Sequence, residues 1–168
     1  MAAIFKWAQR YGAPAGTLSE LGPSGNLFNF KNADDATAAN YTTYPITAGR
    51  NSFDVWLQGK FTGTFNKVQN VQFWKSSGSY GAGEVIQWDP TTPNAYAQPA
   101  TGAIGGGANI PSGDPGSANV SIGAAAPSAS ELTASGYSDY LVLQLQTTTG
   151  AEAGDTDTFS YTMQYDEN

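Results

Sequence analysis

Three kinds of residue in this chain of 168 residues could do chemistry: carboxylates, one short acidic turn, and the four tryptophans. Asp54, Glu84 and Asp89 could supply the acid and base of glycoside hydrolysis, which needs two carboxyl groups flanking one bond. The chain holds fourteen acidic residues, so such pairs arise by number alone, and no spacing singles these three out. Gly154-Asp155-Thr156-Asp157 could lend oxygen ligands to calcium. It lacks the third acid, the glycine and the terminal glutamate of an EF-hand loop, and an Asx-type turn between two strands explains it better. Trp56, Trp74 and Trp88 could stack on sugar rings or anchor a protein interface. Trp56 and Trp74 lie opposite the aliphatic faces of their segments. Their face is therefore either an interface or a surface covered by the N-terminal segment or by a long loop.

The rest of the usual catalytic inventory is missing. The chain has no cysteine and no histidine. That removes thiolate chemistry, the commonest general base near neutral pH, and zinc sites built from Cys and His. Ser-His-Asp and Cys-His sets are excluded for the same reason. The glycine runs GSYGAG (78–83) and GAIGGG (102–107) lack the GxGxxG spacing and the Walker lysine. No GxSxG elbow occurs. The expectation is a protein that is not an enzyme, with no catalytic residues, no metal site and no cofactor.

Charge narrows the partners. Charged residues make up 12% of the chain, about half the usual share. All seven basic residues lie between Lys6 and Lys75, and residues 85–168 carry nine acids and no base. The net charge of −7 offers no footprint for a nucleic-acid backbone. The uneven distribution suits head-to-tail self-association or docking on a basic partner, and equally a solvated acidic surface. No apolar run approaches the length of a membrane-spanning helix, and MAAIFKWAQRYG does not have the form of a signal peptide.

The elements follow from alternation. SFDVWLQGKFT (52–62) sets Phe53, Val55 and Leu57 against Asp54, Trp56 and Gln58. TFNKVQNVQFWK (64–75) sets Val71 and Phe73 against Gln72 and Trp74, after a hairpin-like turn at Thr62-Gly63-Thr64. EVIQW (84–88) is a third strand. DYLVLQLQT (139–147) and DTFSYTMQY (157–165) alternate most strictly, and are expected to pair with each other as a hairpin. LFNFK (27–31) and residues 41–46 read as shorter extended pieces. Seven or eight short strands between Gly/Pro turns predict an all-β fold, a two-sheet β-sandwich of jelly-roll or immunoglobulin-like type. Residues 1–26 read as an N-terminal arm ahead of a single domain at 27–168. In the arm Ile4, Phe5, Trp7 and Tyr11 precede two Gly/Pro clusters, and docking of these four on a neighbouring subunit is the expectation. Residues 89–130, rich in Pro, Gly, Ala and Ser, read as one long loop able to reach outward.

YPITAGRNSFDVWL, TGTFNKVQNVQFWK, SDYLVLQLQ and FSYTMQYDE together resemble small structural proteins of tailed bacteriophages, over about Tyr44 to Glu167. The resemblance implies a virion protein, a capsid decoration or minor capsid protein that stabilises the particle through inter-subunit contacts. It also implies a homo-oligomer, trimeric or higher, and a major capsid or other virion protein as partner. The alternative function is a carbohydrate-binding β-sandwich on a phage surface or tail, using the three tryptophans.

Overall fold

In the computed structural model, every regular element among the described residues is a β-strand; these residues are 2–21, 28–35, 42–122, 131–152 and 158–168. The strands are β1 (Ala3–Tyr11), β2 (Thr17–Glu20), β3 (Val55–Gly63), β4 (Val68–Ser77), β5 (Glu84–Trp88), β6 (Ala108–Asn109), β7 (Glu131–Leu132), β8 (Gly136–Tyr137), β9 (Leu141–Thr147) and β10 (Ser160–Glu167). The larger sheet runs β2-β1-β3-β9-β5-β6, with β8 also paired to β3; the smaller runs β10-β4-β7. All pairings are antiparallel. This is the all-β, two-sheet architecture that the alternation predicts.

The core lies between the apolar faces of the two sheets. Val55, Leu57 and Phe61 of β3, Ile86 and Trp88 of β5, and Leu141, Leu143 and Leu145 of β9 are buried from one side. Val68, Val71 and Phe73 of β4 close it from the other, with Tyr161, Met163 and Tyr165 of β10 packed alongside. Phe73 stacks on Tyr161 with ring centroids 5.6 Å apart, and Phe61 meets Tyr165 edge-on at 5.0 Å. Each such side chain contributes roughly 1.5–3 kcal/mol by leaving water. Gly59 is required in the middle of β3, since a Cβ there would sit 2.9 Å from both the Met163 sulfur and the Phe5 ring.

A bulge explains one irregularity in the apolar pattern. Val68 and Val71 are three residues apart, yet both are buried. Between Gln69 and Gln72, β4 advances three residues while β10 advances two. Asn70 takes up the extra residue with φ of 53°, and its amide donates to an Asp166 carboxylate oxygen at 2.6 Å. The bulge returns Val68 to the same face as Val71 and Phe73.

Several expectations are overturned. Residues 3–11 are not a free arm: β1 pairs with β3 from Ala3↔Gly63 to Arg10↔Trp56, and with β2 on its other edge. Phe5 and Trp7 pack into the core, and Trp7 meets Phe73 edge-on at 6.1 Å. Ile4 points the other way and is exposed. Tyr11 ends the strand, half-buried. The physical reason is that alternate residues Phe5 and Trp7 give this segment one apolar face, which pairing with β3 turns into the sandwich's own core. The C-terminal hairpin is not formed either. β9 pairs with β3 and β5 in the larger sheet, whereas β10 pairs with β4 in the smaller. Likewise β3 and β4 belong to different sheets despite the short connection at Gly63. Amphipathic strands consecutive in sequence can meet face to face across a core as readily as edge to edge, and here they do so.

The long loop is also bound to its own domain. Asp54 N donates to Ala100 O and Tyr140 N to Pro93 O, which holds the first part against the larger sheet. β6 then joins β5, and Asn119 and Val120 bond to Val71 O on β4. The described part of the segment thus bridges both sheets along one side of the sandwich. Residues 28–31 and 42–46 are irregular rather than strands. Leu27, the loop end at 123–130, and Gly154-Asp155-Thr156-Asp157 with its calcium reading fall outside the described residues, wholly or in part.

Candidate functional site

The outer face of the larger sheet carries the densest cluster of polar and aromatic groups. Register aligns Arg10 of β1 with Trp56 of β3 and Val142 of β9. The loop lays Tyr96 on this row. Trp56 meets the Tyr96 ring at 5.4 Å and the Tyr140 ring at 5.3 Å, both edge-on. Arg10 sits 5.9 Å over the Tyr96 ring and donates to Ala15 O at 2.9 Å. The Tyr96 hydroxyl donates to Gly12 O at 2.6 Å, and Gly12 N donates to both oxygens of Asp34. Burial pushes the Tyr96 hydroxyl up to about 12 and raises that of Tyr140. Neither is a proton donor or acceptor near neutral pH.

Asp54 and Gln144 fasten this cover. The Gln144 amide is completely buried, and its nitrogen donates to Ser52 O, to Asp54 Oδ1 at 3.0 Å and to Gly102 O at 2.8 Å. Ala100 N donates to Asp54 Oδ2 at 3.4 Å. Burial pushes the Asp54 carboxyl up to about 6; the Ala100 N–H and the neighbouring Trp56 N–H oppose this, and Asp34 adds to it. The Trp56 N–H is buried without a partner of hydrogen-bond geometry. The two other carboxylates singled out in the sequence lie elsewhere, Glu84 at the start of β5 and Asp89 just past its end. Asp89 accepts from Thr91 N and Thr91 Oγ1 in an Asx turn. The three therefore form no pair across a common site. Among the described residues no group of three His, Cys, Asp or Glu could hold a metal ion.

Beside the larger sheet, Asn32, Ile46, Thr47, Gly49, Arg50, Asn51 and Thr101 line an open polar cleft of about 420 Å³. It offers amide, hydroxyl and guanidinium donors and no carboxylate. Such a lining can hold a small polar molecule but cannot move a proton near neutral pH.

The three candidate tryptophans are separated by the fold. Trp56 is 7% exposed under the loop, and Trp88 is 3% exposed in the core. Neither is a platform for a sugar, which corrects that reading for both. Trp74 is partly exposed on the outer face of the smaller sheet, opposite Thr162 of β10. Sequence reasoning missed Tyr96, Tyr140 and Gln144. The only signal for Gln144 was a polar residue within an otherwise apolar strand, LVLQLQT.

The smaller sheet finishes its two edges differently. On the loop side, β4 is engaged at Val71, Phe73 and Lys75. Phe73 N donates to Asn119 Oδ1 at 2.8 Å, Phe73 O accepts from Asn119 Nδ2 at 2.9 Å, and Lys75 N donates to Pro111 O. On the other side β10 is the last strand, and among the described residues no backbone group pairs with its outer edge. Comparison of the chain with protein-family models, with curated proteins and with solved structures returned no match.

Proposed function

We propose that this chain is a non-enzymatic virion structural protein, a capsid decoration or minor capsid protein that stabilises its particle through inter-subunit contacts. The observation that carries the reading is the contrast between a sealed body and one open strand edge. The larger sheet has its outer face covered around Trp56, and the polar groups there are engaged in holding that cover. The smaller sheet presents β10, which among the described residues is paired on one edge alone, beside the partly exposed Trp74. A rigid block with one open edge is suited to being joined to others, since association then costs little ordering of the block itself. The phrases that resemble phage structural proteins lie largely in the strands that build this body. Further copies of the chain and a major capsid protein are the partners.

Particle composition tests it. Mass spectrometry of purified particles from the host that carries the gene should find the chain at a fixed, high copy number. Its recovery only as free protein, with none in the particles, overturns the reading. Binding of the free protein to a glycan array, lost on Trp74→Ala, would favour the carbohydrate alternative, which now rests on Trp74 alone of the three indoles.

A further inference from the structure

We propose, resting on the assembly reading above, that two copies of this chain pair antiparallel through β10 about a twofold axis at Met163. The two small sheets then become one continuous six-stranded sheet. The direction of the backbone groups carries this. Along a strand, the N–H and C=O of successive residues point to alternate edges. On β4, Val71, Phe73 and Lys75 direct theirs to the loop, where Asn119, Val120 and Pro111 engage them. Gln72 and Trp74 therefore bond to β10, through their partners Gln164 and Thr162. It follows that Tyr161, Met163 and Tyr165 direct their N–H and C=O groups outward, away from β4. Among the described residues β4 is the one strand paired with β10, and no backbone bond outside the strand ladders reaches those groups.

This edge lacks the devices that usually protect one. β10 is eight residues long and contains neither Pro nor Lys. Both irregularities in its pairing with β4 place the extra residue on β4, so β10 itself runs regularly. The edges of the larger sheet are finished otherwise. β2 is four residues long and ends at Glu20, which is bonded to Lys60 and Lys6, and β6 is two residues long.

A second copy fits because the edge is self-complementary. With the axis at Met163, that residue exchanges two hydrogen bonds with its counterpart, and Tyr161 of each copy exchanges two with Tyr165 of the other. All six of these groups in each copy are then used. On the outer face Thr162 lies opposite Gln164 of the other copy. The acids at Asp166 and Glu167 fall opposite Ser160 and Phe159, so no like charges meet across the seam. Both copies carry a net charge of −7, so pairing should tighten as salt screens their repulsion.

Charge exchange at Thr162 and Gln164 tests the register without touching the core, because both side chains lie on the outer face. Sedimentation equilibrium of the full chain should show a dimer that strengthens with salt. Thr162→Lys with Gln164→Lys places lysines opposite each other at two positions and should weaken the dimer roughly tenfold. Thr162→Lys with Gln164→Glu places opposite charges there and should restore the wild-type affinity or better. Hydrogen exchange should show the amides of Tyr161, Met163 and Tyr165 protected only in the dimer. A wild-type chain that stays monomeric at every concentration and salt overturns the inference. So does a dimer indifferent to both double variants, although particle composition can still uphold the assembly reading. Protection of those three amides that appears only when capsid is added would mean that the occupant is a capsid strand, and this also overturns pairing with a second copy.

Discussion

The two sheets of this sandwich are built from the same kind of strand and treat their outer surfaces in opposite ways. Over the larger sheet, a long segment poor in regular structure is fastened by Asp54, Gln144, Tyr96 and Tyr140, and Trp56 is shut beneath it. Over the smaller sheet no such cover is present among the described residues, and Trp74 is partly exposed. The difference teaches that an indole on the polar side of a strand carries no functional meaning by itself. What matters is whether a distant segment comes back to cover it.

The most drastic way to break this comparison is to remove β1. It lies inside the larger sheet between β2 and β3; Phe5 packs beside Phe61 and reaches across to Tyr165, and Trp7 reaches across to Phe73. Deleting residues 1–12 removes both pairings and two aromatic side chains from a fold whose net stability is on the order of 5–15 kcal/mol. The truncated chain is expected to lose its cooperative thermal transition by circular dichroism. A truncated protein that melts cooperatively near the wild-type temperature would mean that β1 is an appendage after all.

That reversal shows where the sequence was legible. The strands read from alternation, β3, β4, β5, β9 and β10, are found within a few residues of where period-two patterning places them. Their inward residues are the expected ones, Leu141, Leu143 and Leu145 among them. Pairing was not legible, because alternation states which face of a strand is apolar and nothing about which strand lies beside it. For this reason β9 and β10 read as a hairpin although they sit in different sheets. The cover over Trp56 was not legible either. It depends on backbone bonds such as Asp54 N to Ala100 O, between residues 46 positions apart, which leave no pattern in side-chain type. Gln144 left a trace: a glutamine fully buried in a strand implies partners to satisfy it.

A matched pair of substitutions sharpens the comparison between the two outer faces. Trp56→Ala empties a site packed by Tyr96 and Tyr140, and should cost about 3–5 kcal/mol in urea unfolding. Trp74→Ala removes a partly exposed ring and should cost about 1 kcal/mol. Equal costs would show that the smaller sheet is covered as thoroughly as the larger.

The smallest effect expected is the most specific to the cover. Burial holds the Asp54 carboxyl at about 6 in the folded protein, above its ordinary value of 3.8. A carboxyl whose folded value is raised binds its proton more tightly when folded. Its contribution to stability is therefore complete below pH 3.8, and is lost as pH rises through 6. Asp54→Asn keeps an acceptor for the Gln144 amide and removes the titration. Other carboxylates titrate in the same range, so the quantity to follow is the difference between the two proteins. Wild-type stability minus that of the variant, taken from urea melts at successive pH values, should fall between pH 4 and pH 6 and level off above. A flat difference would show that Asp54 ionises in the folded protein as it does in water. The carboxylate that helps fasten the 89–105 segment would then be solvated, and the larger sheet less sealed than its hydrogen bonds imply.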